Sequence, residues 1–233
     1  MPKILSLSAI ASVAVFGALV AVPGAAGAQA TANEQGFCAA RESVGPDSGR
    51  ARMAAGLRAI ADTAPDAAAT PAATLLALFE KKGMKIFDGD KAFGYLDEID
   101  ASYFDVCAVT KVDVTATDFA YDGVPAVVPA GRAAIRLANT AAAEPHEMTM
   151  VKLTPAGEAK DPFDLLALSD KKIAKFIDFS TVAHAFADPG ETGYGLVELE
   201  PGTYLYGCFV HEGGTKNGTP HYEHGMWGTF TVE

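Results

Sequence analysis

Five residues near the end of the chain carry soft-metal chemistry: Cys208, His211, His221, His224 and Met226. A thiolate, imidazoles and a thioether close together form a donor set that favours copper. They lie in a loop between two strand-like stretches, Pro201-Gly-Thr-Tyr-Leu-Tyr-Gly-Cys208 and Gly228-Thr-Phe-Thr-Val232. All five histidines of the chain fall at or beyond residue 146, so any imidazole site belongs to the second half. Each residue also has a plain structural reading. Cys208 could be a small buried hydrophobe, Met226 a packing residue, Trp227 a core or rim aromatic and His184 a surface group. His146, taken alone, reads as a satisfied core or edge histidine.

Other chemistries lack a local signal. There is no Gly-rich phosphate loop, no G-x-S-x-G and no C-x-x-C. No H-x-H pair of the kind a trinuclear copper centre needs is present. The chain has three cysteines, Cys38, Cys107 and Cys208, so one is left over after any pairing. Pairing Cys38 with Cys107 brackets one segment and leaves Cys208 free in the histidine-rich loop. The other two pairings would run a disulfide through that loop. We expect Cys38–Cys107, although connectivity does not follow from sequence alone.

The first 28 residues have the form of a secretory leader. Lys3 is the positive start, Ile4 to Val22 is an apolar run, and Ala26-Gly27-Ala28 is a small-x-small cleavage site. The run approaches the length of a membrane anchor, but the cleavage site favours removal. About 205 residues then remain, enough for one large or two small domains. The leader holds Lys3 and no acid, so the mature chain is one unit more negative than the formal −11. That balance argues against nucleic acid and anionic membrane surfaces as partners. No later stretch is apolar enough to span a bilayer, and the localisation implied is secreted or periplasmic.

The elements that must position the loop fall into two regions. Residues 29–108 read as a small helical region. Thr31 opens a helix. Met53, Leu57, Ile60 and Ala61 recur at helical spacing within Ser48–Thr63, which Pro65 ends. A second helix runs from about Pro71 to Lys82 with Gly83 as its C-cap. After a Gly89-Asp90 turn, a third runs from Lys91 to about Phe104. Residues 109–233 change character. Val112, Val114 and Ala116 alternate with polar residues, as do Ile135 and Leu137 within Ala133–Asn139. Met148 to Val151, Tyr204 to Phe209 and Gly228 to Val232 are further strands, separated by turns. Several short strands of this kind predict a β-sandwich. An interruption at about 155–195 reads as a helical insertion, with one helix opened by Asp161-Pro162 and a helical turn at Ser180–Ala187. The fold class expected is α+β.

The second region resembles the cupredoxins, the plastocyanin-like blue copper proteins. The resemblance rests on Asn139…Pro145-His146, on Pro201-Gly-Thr-Tyr204-Leu-Tyr-Gly-Cys208, on His221-x4-Met226 and on the closing strand Gly228–Val232. It covers roughly half of the mature chain. The whole chain also resembles a group of exported bacterial proteins in which a short helical segment with cysteines precedes such a domain. The resemblance implies a Greek-key sandwich and one copper ion cycling between Cu(I) and Cu(II). It implies His146, Cys208 and His221 as equatorial ligands, Met226 as axial ligand, and Asn139 tying the two ligand-bearing segments. The departure is the loop: twelve residues separate Cys208 from His221. His211 offers the short Cys-x2-His spacing but leaves Met226 far downstream. His221 keeps the family's His-x4-Met spacing, so His221 is the expected ligand, His211 the rival and His224 a bystander.

The function implied is electron transfer or copper handling without enzymatic activity, with a redox protein as partner. The alternative is a metal-free extracellular binding or structural sandwich, in which the four candidate side chains do not converge.

Overall fold

The computed structural model describes residues 31–45, 48–89, 91–215 and 217–233. The expected leader and Asp90 of the expected turn lie outside them. Helix α1 (Ala32–Glu42) starts where Thr31 and Glu34 form a reciprocal capping box that satisfies two backbone N–H groups. Helices α2 (Arg50–Thr63), α3 (Asp66–Lys82) and α4 (Lys91–Val106) follow. Helix α3 begins before Pro71: Pro65 serves as its N-cap, and the alanine run Ala67–Ala69 is helical, as alanine's helix propensity favours. Gly83 caps its end as expected. Phe37, Leu57, Ile60, Leu75 and Ile99 form the apolar centre of this bundle. Cys38 and Cys107 are disulfide-bonded with Cα atoms 5.8 Å apart, joining α1 to the residue just past α4. Two polar pairs are also sealed in it: Arg41 on Asp100, and the Tyr103 hydroxyl donating to Glu42 at 2.6 Å.

The remainder is a two-sheet sandwich. One sheet orders β2 (Ala120–Asp122), β1 (Thr110–Thr117), β4 (Gly131–Asn139) and β7 (Thr192–Leu199). The other orders β3 (Val127–Val128), β9 (Trp227–Val232), β8 (Gly202–Gly207), β5 (His146–Leu153) and β6 (Ile177–Ala187). The pairs β1–β4 and β3–β9 are parallel and the other described pairs antiparallel. Val114, Ile135, Leu137, Met148, Met150 and Tyr204 fill the space between the sheets, and Cys208 and Met226 close one end of the same cluster.

Helix α4 packs on β4 and β7. Strand β4 is therefore buried on both faces over Ala133–Ile135: Ala133 and Ile135 face the sandwich core while Ala134 joins the helical cluster. The helical region covers the outer face of the four-stranded sheet. No helix among the described residues is long and apolar enough to cross a membrane.

The insertion is shorter than expected. Three short helices, α5 (Pro155–Glu158), α6 (Pro162–Leu166) and α7 (Asp170–Ile173), occupy it, and chain 177–195 belongs to β6 and the start of β7. The helical turn expected at Ser180–Ala187 is strand. Its buried positions Thr181, Ala183, Ala185 and Ala187 alternate with outward Val182, His184 and Phe186. Small buried residues hide the period of two. Strand β7 presses close against β6: a Cβ on Gly193 would lie 1.7 Å from the Phe186 carbonyl oxygen and one on Gly195 2.5 Å from that of His184. The insertion's Leu165 and Leu166 pack over Val151 and Leu205 on the outer face of the five-stranded sheet.

Candidate metal centre

Three chain segments meet at the end of the sandwich closed by Cys208 and Met226. His146 is the first residue of β5 and shares the inward face with Met148 and Met150. Asn139 shapes the turn before it. Its amide donates to the carbonyls of Glu144 and Ala187, both at 2.9 Å, and its side-chain oxygen accepts the Ala141 N–H at 2.9 Å. Those partners fix the His146 turn against the end of β6. They do not lie on the Cys208–Met226 loop, so the tie expected of Asn139 between the two ligand-bearing segments goes to β6 instead.

Cys208 follows the last residue of β8. Its N–H donates to the Met226 carbonyl at 3.0 Å, its carbonyl accepts the Tyr222 N–H at 2.9 Å, and the Met226 N–H donates to the His221 carbonyl at 3.2 Å. Cys208, His221 and Met226 are thus stitched to one another through backbone. The twelve-residue spacing does not hold them apart. The His221 N–H donates to the Val210 carbonyl at 2.9 Å, and His211 forms a β-bridge with Pro220. Residues 211–220 are therefore zipped out as a side loop, and the ligand loop closes as though it were short. Pro220 sets the approach, and His221–His224 makes a single tight turn.

The ligand atoms converge. His146 Nδ1 lies 3.1 Å from His221 Nδ1, and Cys208 Sγ lies 3.9 Å and 3.4 Å from the same two nitrogens. With metal–nitrogen bonds of about 2.0 Å and metal–sulfur bonds of about 2.3 Å, donors sharing one ion stand roughly 3–4 Å apart. All three side chains are fully buried, and Met226 is fully buried beside them. The metal-free alternative expected no such convergence. His211 faces away, its Nδ1 on the Gly218 carbonyl at 2.8 Å. His224 points outward, with Nε2 3.2 Å from Glu212. His184 is exposed as expected, but it sits on β6 with Nε2 3.0 Å from Glu147. Trp227 is half-buried and packs near Phe163 of the insertion, ring centroids 5.9 Å apart.

The electrostatics suit a site that loses protons to a metal. Burial pushes the His146 imidazole down to about 4, with neighbouring His221 adding to the effect. Burial lowers His221 too, against the pull of the Glu144 carboxylate. Both rings are neutral near pH 7, as ligation requires. Burial raises the Cys208 thiol to about 11, opposed by the Glu147 and Val210 N–H groups. The Glu147 N–H reaches Sγ at 3.4 Å. Nε2 of His146 and Nε2 of His221 are the two buried side-chain nitrogens without a hydrogen-bond partner among the described residues. An ion bound by both Nδ1 atoms would leave the ring protons on these two Nε2 atoms. The residues fit a soft or borderline cation held by two nitrogens and one sulfur.

Three residues at the site escaped the sequence reading. The Glu147 carboxylate accepts the Phe209 N–H at 3.0 Å, linking β5 to the residue after Cys208. Phe119 lays its ring edge-on to His221, centroids 4.9 Å apart, and beside His224 at 4.6 Å. It adopts φ of 58°, unusual for a residue with a side chain, and nothing in its local sequence announces this. Glu144 stands two residues before His146, a position that could have drawn notice, with Oε2 3.7 Å from His221 Nε2.

No family model matches the sequence, and no curated protein matches it either. Solved structures do. The chain is similar to auracyanin from Roseiflexus castenholzii, at 24% identity over 55% of this chain and 99% of that one, TM-score 0.35. It is also similar to auracyanin A, a blue copper protein from Chloroflexus aurantiacus, at 23% identity over 53% and 98%, TM-score 0.33. Rusticyanin from Thiobacillus ferrooxidans matches at 20% identity over 53% and 77%, TM-score 0.34. Multicopper oxidases are also among the matched structures. The structure is a β-sandwich of two mixed sheets with added helices, and it holds a buried His-Cys-His set drawn from the start of one strand and the loop before the last, the arrangement that the sequence's resemblance to the cupredoxins implies.

Proposed function

We propose that the chain is an exported cupredoxin-like protein with one mononuclear copper centre, used for electron transfer or copper handling and not itself an enzyme. His146, Cys208, His221 and Met226 would hold the ion. The observation that carries the reading is the buried convergence of two imidazole nitrogens and a free thiol, all within 4.8 Å of one another. Copper held there supplies one-electron chemistry between Cu(I) and Cu(II). The chain's own part is to hold the ligands in a dry, fixed arrangement, so that neither charge state requires them to move. The Cys208 proton leaves on metal binding, which makes affinity rise with pH below the thiol's raised value. Export is supported by the leader-like first 28 residues and by the Cys38–Cys107 disulfide, which belongs in an oxidising compartment. A redox protein is the partner such a centre needs.

The test is to add Cu(II) to the purified protein and record its visible spectrum and copper content. One equivalent of copper with an intense thiolate-to-copper band is expected. Cys208→Ser removes the band. Copper uptake without the band, in protein whose Cys208 thiol is intact, contradicts the reading.

A further inference from the structure

His221 has both ring nitrogens buried. Its Nδ1 faces His146 Nδ1 and Cys208 Sγ, so with an ion bound there its proton would sit on Nε2, and Nε2 has no hydrogen-bond partner among the described residues. A buried donor left unpaired costs roughly 1–3 kcal/mol. The carboxylate of Glu144 stands at 3.7 Å, just beyond hydrogen-bond reach, with its side chain 24% exposed. That carboxylate is fixed from two sides. Its backbone carbonyl is held by the Asn139 amide, and its two oxygens accept the Gly213 N–H at 3.2 Å and 3.1 Å. Gly213 lies in the zipped-out side loop with φ of 65°, where a side chain would be strained. The Gly-rich excursion between Cys208 and His221 thus brings a backbone donor onto the acid beside His221.

Resting on the copper reading above, we propose that Glu144 is the positioning residue of the centre: its carboxylate accepts the Nε2–H of His221 and, clamped by Gly213, fixes that ring and places a negative charge next to the metal. A ligating imidazole commonly donates its other N–H to such a carboxylate, which sets the tautomer and raises ligand basicity. A fixed negative charge favours the more positive metal state, so Glu144 stabilises Cu(II) over Cu(I).

The experiment compares wild type with Glu144→Gln and Glu144→Asp. In copper-loaded protein the potential is measured. In metal-free protein the side-chain nitrogen and Nε2–H resonances of His221 are recorded by NMR. Glu144→Gln removes the charge but keeps an acceptor for Gly213. Its expected effect is about a tenfold shift of relative affinity toward Cu(I), a rise of about 59 mV for a one-electron couple, with the His221 resonance displaced. Glu144→Asp, which keeps the charge, restores most of the wild-type potential if Gln disturbs the fold. If the band forms in all three proteins while potential and ring resonances stay put, the role of Glu144 is overturned and the copper reading stands. If wild type gives no thiolate-to-copper band, the copper reading fails and the inference falls with it.

Discussion

The helical region and the ligand end of the sandwich are both closed to solvent, but they treat buried polar groups in opposite ways. In the helical region polar groups are paired inside the core: Arg41 with Asp100, Tyr103 with Glu42. At the ligand end two imidazole nitrogens are buried without partners among the described residues, a thiol is held free, and Phe119 takes a disfavoured backbone conformation. The first region is organised for stability. The second carries local costs of the kind found where a functional site breaks the rules of packing.

Mutations sharpen this contrast by sign. The largest loss belongs to the helical region. Asp100→Ala strands the buried Arg41 guanidinium, whose pKa Asp100 holds up against burial. It should cost about 3–5 kcal/mol in urea unfolding while leaving any copper spectrum unchanged. Removing the disulfide with Cys38→Ala and Cys107→Ala opens a loop of sequence separation 69, and should cost roughly 2–5 kcal/mol with the site again intact. An equal loss of the copper band in either variant would break the division between the regions.

The ligand end should respond to acid. His146 titrates near 4 when folded against an ordinary 6.5, so the unfolded chain takes up a proton first as pH falls. Metal-free stability is therefore full above about pH 6.5 and declines toward pH 4, by about 3 kcal/mol at about 1.4 kcal/mol per pH unit of displacement. Denaturant midpoints at several pH values check this, and bound metal, which competes with protons for the same donors, should steepen the profile. A midpoint constant from pH 7 to 4 would contradict neutral burial of His146. Replacing His146 and His221 together by Leu removes two unpartnered nitrogens and should leave metal-free stability unchanged or raise it by about 1 kcal/mol, the opposite sign to Asp100→Ala. The smallest effect is reserved for His211→Ala. It loses one half-buried hydrogen bond to Gly218, about 1 kcal/mol, and should not alter the copper spectrum.

The sequence made some of this legible and hid the rest for identifiable reasons. The helices of the first region announced themselves through local signals, the Thr31 cap, the 3.6-residue spacing around Leu57 and Gly83 after α3. Strands β1 and β4 did so through alternation. Strand β6 did not, because its inward positions are largely alanine, and β7 did not, because two of its inward positions are glycines pressed against β6. Both choices answer a tertiary constraint that no local window contains. At the site, the order His146, Cys208, His221 was readable because it follows strand ends. The distances that favour His221 over His211 were not, since they depend on the bridge between His211 and Pro220 that folds the excursion away. Glu144 and Phe119 act through contacts with residues 77 and 102 positions away, so their roles needed the structure.

Two imidazoles and a thiol that converge in order to share one ion would all bind it at once. X-ray absorption at the copper edge of the loaded protein tests it most directly. The account predicts a short shell of two imidazole nitrogens and one sulfur, which loses its sulfur in Cys208→Ser. A shell of nitrogen and oxygen alone in wild-type protein with an intact Cys208 thiol would contradict it.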